Sequence, residues 1–163
     1  MRHWLLKEEP THYSYARLEQ DRQTVWSGVR NPLAQRHLAA MRRGDEGLFY
    51  HTGNERACVG IVRIASDPAP ESPQPPLYWQ VRVEPVRRLA RPVTLAEIRA
   101  AALPPFDLVR LPRLSVVPVP TPVWKWILAR SAVPVSPPES TYGTNRGSRS
   151  SSAAARARRR SGT

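Results

Sequence analysis

Val25-Trp26-Ser27-Gly28-Val29-Arg30-Asn31-Pro32 is the stretch on which the reading of this chain turns. It sets a large aromatic, a small hydroxyl, a glycine, a cation and an amide side by side, immediately before an amphipathic helical pattern. Trp26 offers a flat apolar face on which a nucleobase can stack, a contact of about 1–3 kcal/mol with single-stranded nucleic acid. Gly28 permits positive φ or a close approach of the backbone to a ligand. Asn31 can cap a helix whose first position suits Pro32, so the helix it opens holds the loop. By themselves these residues fit two descriptions, the wall of a ligand pocket or a core tryptophan followed by a glycine turn.

Around this stretch the chain has 163 residues, enough for one domain with its own core. No apolar run approaches the ~20 residues of a membrane span, and the start of the chain lacks the apolar region of a signal peptide; both predict a soluble cytoplasmic protein without a membrane partner. A single cysteine, Cys58, excludes an intramolecular disulfide and a multi-cysteine metal site. Within the apolar run around it, Cys58 reads as a small core hydrophobe. The net charge is +12, and residues 129–163, with seven Arg and one Glu, hold half of it. Because both parts are basic, a polyanionic partner is favoured over an acidic protein surface.

Along the chain, His3 to Lys7 reads as an apolar strand closed by a Glu8-Glu9-Pro10 turn. Ser14 caps a short helix that turns Tyr15 and Leu18 inward. After the Trp26 loop, a helix from about Pro32 to Arg43 carries Ala34, Leu38 and Met41 on one face and ends at Gly44. Glu46 to His51 and Ala57 to Ile64 read as two strands joined by a Thr52-Gly53-Asn54-Glu55 turn. Residues 66–76 hold five prolines and are expected to form an extended loop outside any sheet. Leu77 to Val86 alternates at period two as a half-buried strand. Thr94-Leu95-Ala96-Glu97 is a capping box that opens a helix to about Ala102. A single turn over Phe106 to Leu111, a last strand over Leu114 to Val117 and a helix from Thr121 with Trp124, Ile127 and Leu128 inward complete the pattern. Beyond Arg130 the Pro/Ser/Gly/Ala/Arg composition predicts a disordered basic tail, 131–163, after a domain of residues 1–130.

The candidates for chemistry are few. His3, His12, His37 and His51 form no metal-ligand spacing, and no metal or cofactor is predicted. His51, at a strand end beside Thr52, reads either as a satisfied structural histidine or as a polar tip reaching a pocket. Glu8 and Glu9 lie in a turn where a carboxylate is held in place; each can accept from a base N–H or remain a surface charge. Ser27 and Cys58 are the nucleophile candidates, and neither sits in a Gly-x-Ser-x-Gly elbow or beside a base–acid set.

The motifs as a series resemble one family. Trp26-Ser27-Gly28-Val29-Arg30-Asn31 resembles the signature of the EVE family, and Trp4-Leu5-Leu6-Lys7-Glu8-Glu9-Pro10 its opening strand and Lys-x-Glu-Pro turn. Gly47-Leu48-Phe49-Tyr50-His51-Thr52 and Val59-Gly60-Ile61 are similar to its next two strands, with Tyr78 to Val83 and Arg113 to Pro118 following in the expected order. The resemblance covers about residues 2 to 130 and implies an α+β fold, a PUA-like mixed β-barrel with flanking short helices, similar to the YTH and SRA-type readers. It further implies a monomeric, non-catalytic module that binds nucleic acid by holding a modified base of DNA or RNA. Trp26 would stack, Glu9 and Asn31 would bond base edges, and Ser27, Gly28 and Val29 would offer backbone groups. Lys7 and Arg30 join the set, and His51, Thr52 and Trp79 would close the pocket. The family's Lys-x-Glu-Pro pattern assigns the ligand role to Glu9 and leaves Glu8 as surface charge. Two departures stand out. Ser27 replaces a usual acidic residue, although a serine follows the cage tryptophan in YTH readers, and Pro32 replaces a frequent tyrosine. Two other function classes fit the sequence: a small base- or nucleotide-modifying enzyme with Glu9 and His51 as acid and base, and an unspecific RNA binder acting through the basic tail.

Overall fold

The computed structural model describes residues 1–133. His3–Glu8 forms β1, and Ser14, with its side chain accepting from the Arg17 N–H, caps α1 over Tyr15–Asp21. Thr24–Trp26 is a three-residue strand, β2, so Trp26 ends an edge strand and is not within a free loop. Asn31 then opens α2 over Pro32–Ala40, its Oδ1 accepting from the Leu33 and Ala34 N–H groups. The helix is shorter than the expected span to Arg43. Met41 has left helical geometry, and the chain is captured by Asp45, whose carboxylate accepts from the N–H groups of Arg2 and Arg42 and from the Trp4 indole. Burial alone would raise the Asp45 pKa; these donors outweigh it and hold the carboxyl below its usual value.

β3 (Glu46–His51) and β4 (Ala57–Ile64) are the expected antiparallel pair, and β1 runs parallel to β3. The proline-rich connection is not wholly outside the sheet: Ala69–Pro70, β5, pairs with the start of β6, which runs from Trp79 to Thr94. β6 exceeds its expected end at Val86 because Pro85 and its neighbourhood coincide with an irregularity in the pairing with β4, where a missing N–H is tolerated. The capping box forms at Thr94 and Glu97 as expected, opening α3 over Leu95–Ala100, which ends at Ala101. α4 (Asp107–Arg110), β7 (Val116–Pro118) and α5 (Thr121–Ala132) follow. α5 buries Val123, Trp124, Ile127 and Ser131, while Leu128 packs at the margin. It runs two residues beyond the expected domain end at 130, and the rest of the expected tail lies outside the described residues.

The strand order is β2-β6-β4-β3-β1-β7, with β5 attached to β6. The sheet curls into a mixed half-barrel with short helices against it, the PUA-like α+β fold. Tyr15, Leu18, Phe49, Leu48 and Ile64 are among its fully buried core, together with Cys58, whose thiol burial pushes up to about 12. None of the helices among the described residues is long and apolar enough to cross a membrane.

Candidate functional site

A cavity of about 570 Å³, within the roughly 300–1,000 Å³ common for ligand pockets, lies between the edge strand β2 and Ser115, the residue before the other edge strand, β7. β2 contributes Thr24, Val25 and Trp26, and Ser115 contributes from the residue before β7. Lys7 and Glu8, at the end of β1, and His12 and Tyr13 beyond it line the same space. The Ser27–Asn31 segment completes it.

Trp26 is only 7% exposed yet borders the cavity. Its ring stands at 90° to Phe49, centroids 5.7 Å apart, and Phe49 in turn meets Tyr15 edge-on at 5.6 Å. This edge-to-face chain fixes the indole from the core side. The loop after it is held from three directions. Asn31 commits Oδ1 to capping α2, and the buried Gln35 of α2 donates to the Val29 carbonyl at 2.6 Å while accepting from the Trp79 N–H at 2.7 Å. Glu71, from the proline-rich connection, accepts from the Gly28 N–H and from Arg30 at 2.8 Å. The Gly28 N–H, the Arg30 guanidinium and the surrounding burial are the influences on Glu71, and the balance holds its carboxyl below the usual value. Arg30 lies 3.9 Å over the Tyr78 ring. Gly28 has φ +77°, the left-handed geometry its sequence position called for.

Of the expected site residues, the fold brings together Lys7, Trp26, Ser27, Gly28, Val29, Arg30 and Asn31 at one cavity. Several of their polar groups are already spent on the loop itself: the Gly28 N–H, the Val29 carbonyl and Asn31 Oδ1. Glu9, His51, Thr52 and Trp79 do not line it. Glu9 turns to the β3–β4 connection, where Thr52 Oγ1 donates to it at 3.3 Å and its carboxylate occupies the space beside Gly53. His51 is buried, with Nε2 accepting from the Tyr15 N–H at 3.1 Å and Nδ1 donating to Glu55 at 2.8 Å. Trp79 is half-buried and packs against the core. Glu8, read from the family pattern as surface charge, is the carboxylate at the cavity. Lys7 donates from Nζ to the Pro112 carbonyl at 2.9 Å, and burial lowers its pKa.

Glu71, Tyr78 and Gln35 were missed as parts of the site. Glu71 sits in a proline-rich run with no periodicity to mark which residue reaches back.

The sequence profile of the EVE domain matches residues 2–130. The chain belongs to the EVE domain family. Among its relatives, chicken (Gallus gallus) thymocyte nuclear protein 1 is 32% identical over 128 residues, 60% of this chain and 51% of that protein. This EVE chain therefore spans about half the length of that relative. The crystal structure of human THYN1 protein in complex with 5-methylcytosine-containing DNA superposes with a TM-score of 0.76 at 25% identity, covering 83% of this chain and all (100%) of the other. The YTH domain of Zygosaccharomyces rouxii MRB1 protein, at TM-score 0.50 and 13% identity over 83% of this chain and 89% of that one, shares the fold. Glu71, 43 residues beyond Gly28, brings a carboxylate to the Gly28 N–H of this loop.

Proposed function

We propose that this EVE domain is a non-catalytic nucleic-acid-binding module that takes a modified base, turned out of its strand, into the cavity between β2 and β7, with Trp26 as the stacking face. The observation that carries this reading is the cavity itself, in which a core-anchored indole, a pinned glycine loop and two cations, Lys7 and Arg30, meet in one space. The human THYN1 protein, an EVE relative with the same fold, has been crystallised with DNA containing 5-methylcytosine, which supports a base as the occupant. Extruding a base costs a few kcal/mol, less from a single strand, and stacking together with phosphate contacts from the basic surface offsets it. A methyl group in a dry slot adds roughly 0.8 kcal/mol.

Trp26→Ala tests it directly. Binding to oligonucleotides carrying a modified base should weaken by on the order of tenfold or more, the equivalent of about 1–3 kcal/mol of stacking. Unchanged affinity across a panel of modified oligonucleotides, measured by fluorescence anisotropy, would remove the base-binding reading. The alternative that uses Glu9 and His51 as acid and base finds no support in their positions, since both are tied into the β3–β4 connection and α1.

A further inference from the structure

We infer that Glu8 reads an exocyclic amino group on the bound base, so that the cavity selects aminopyrimidine or aminopurine bases over those presenting a carbonyl oxygen at that edge. This rests on the reading of the cavity as a base site.

Glu8 is the single carboxylate among the described residues that line the cavity. It ends β1, with its carbonyl accepting from the Thr52 N–H at 2.9 Å, so its backbone is fixed by the sheet. One carboxylate oxygen, Oε1, accepts from the Glu9 N–H at 3.0 Å and pairs with His12 Nδ1 at 3.1 Å. The other, Oε2, has no hydrogen-bond partner among the described residues, and the side chain is 26% exposed. A group held at one oxygen and open at the other is an oriented acceptor.

A carboxylate beside a polyanion is electrostatically unfavourable, so its place in this cavity demands a specific return. An ionised carboxylate can only accept. It therefore rewards a base edge that donates, and it leaves a carbonyl-bearing edge facing a second acceptor with neither group paired. Such mismatched edges are rejected far more strongly than the loss of a methyl contact. The methyl of a modified base would then be sensed by the Trp26 slot and its amino group by Glu8, two separable contributions.

The test uses the full chain and single-stranded oligonucleotides with one central 5-methylcytosine, 5-methylpyrimidin-2-one or thymine. The second base keeps ring and methyl but carries hydrogen in place of the amino group; the third carries a carbonyl oxygen there. The wild type should bind the 5-methylcytosine strand roughly tenfold more tightly than the 5-methylpyrimidin-2-one strand, the size of one charge-assisted hydrogen bond, and the thymine strand more weakly still. In Glu8→Ala that preference should fall to about twofold or less, with the unfolding midpoint unchanged, while Trp26→Ala weakens all three strands together. Equal binding of the three by the wild type, with Trp26→Ala still damaging, overturns the amino-group inference and leaves the base site standing. A preference that survives Glu8→Ala overturns the role of Glu8. Binding indifferent to Trp26→Ala removes the base site and this inference with it.

Discussion

Glu71 reaches the Trp26–Asn31 loop through two contacts, the Gly28 N–H and the Arg30 guanidinium. The side chain is 17% exposed and its partner Arg30 is 53% exposed, so the pair adds little to global stability. Its effect is on the loop's geometry. Glu71→Gln should shift unfolding by no more than about 1 kcal/mol while lowering affinity for modified oligonucleotides, read by comparing denaturation curves with binding isotherms. The pH dependence has a definite sign. A carboxylate held below its ordinary value contributes in the charged form; that contribution is present above the unfolded value and lost as pH falls through the folded one. Binding should therefore persist at pH values where an ordinary glutamate is already partly protonated, and the wild-type advantage over Glu71→Gln should fade only in more acid solution. The sequence made Trp26, Gly28, Arg30 and Asn31 visible because aromatic, glycine and N-cap residues each carry a local requirement. Glu71 reaches back 41 to 43 residues, and Gln35 ties the Val29 carbonyl to an N–H 44 residues ahead of it; contacts of that span leave no periodic trace. Glu9 lies one residue beyond the end of β1, in the turn, and that single step carries its carboxylate to the β3–β4 connection while Glu8 stays at the cavity.

α1 sits on the sheet at Gly60 of β4, where the Tyr15 ring fills the volume a side chain would take: a Cβ there would lie 2.4 Å from the ring. Tyr15 is buried and donates its hydroxyl to the Ile61 carbonyl at 2.8 Å, and burial pushes its pKa up to about 12. The ring has nowhere to retreat, because Phe49 packs against it edge-on. Gly60→Ala should destabilise the domain by about 1–3 kcal/mol, as overpacked cores do, measurable by urea denaturation. It should also disturb Trp26 indirectly through Phe49. The elements with strong local signals, β1, β3, β4 and the capped helices α1 and α3, were legible from the sequence. β5 and the second half of β6 were not, since prolines argue against strands unless the pairing is irregular where they fall, and irregular pairing is a property of two strands at once. The end of α2 was overextended because Met41 keeps the apolar spacing after the backbone has left the helix; its burial is real, but in a turn secured by Asp45.

Taken as one body, the sheet is a ribbon whose first and last strands, β2 and β7, pair on one side only. Both are three residues long, and the cavity is bordered by residues from β2 and by the residue that precedes β7. Anything seated there touches two margins that the protein leaves unjoined, so an occupant behaves as a missing stave and clamps the ribbon toward a ring. Ligand saturation should then slow amide hydrogen exchange at residues 24–26 and 115–117 together, while β3 and β4, paired on both sides, exchange as before. Slowing at one margin alone would mean that the ligand leans on a single wall. An open curl thus couples occupancy to mechanical closure, and melting of the loaded protein should begin somewhere other than its seam.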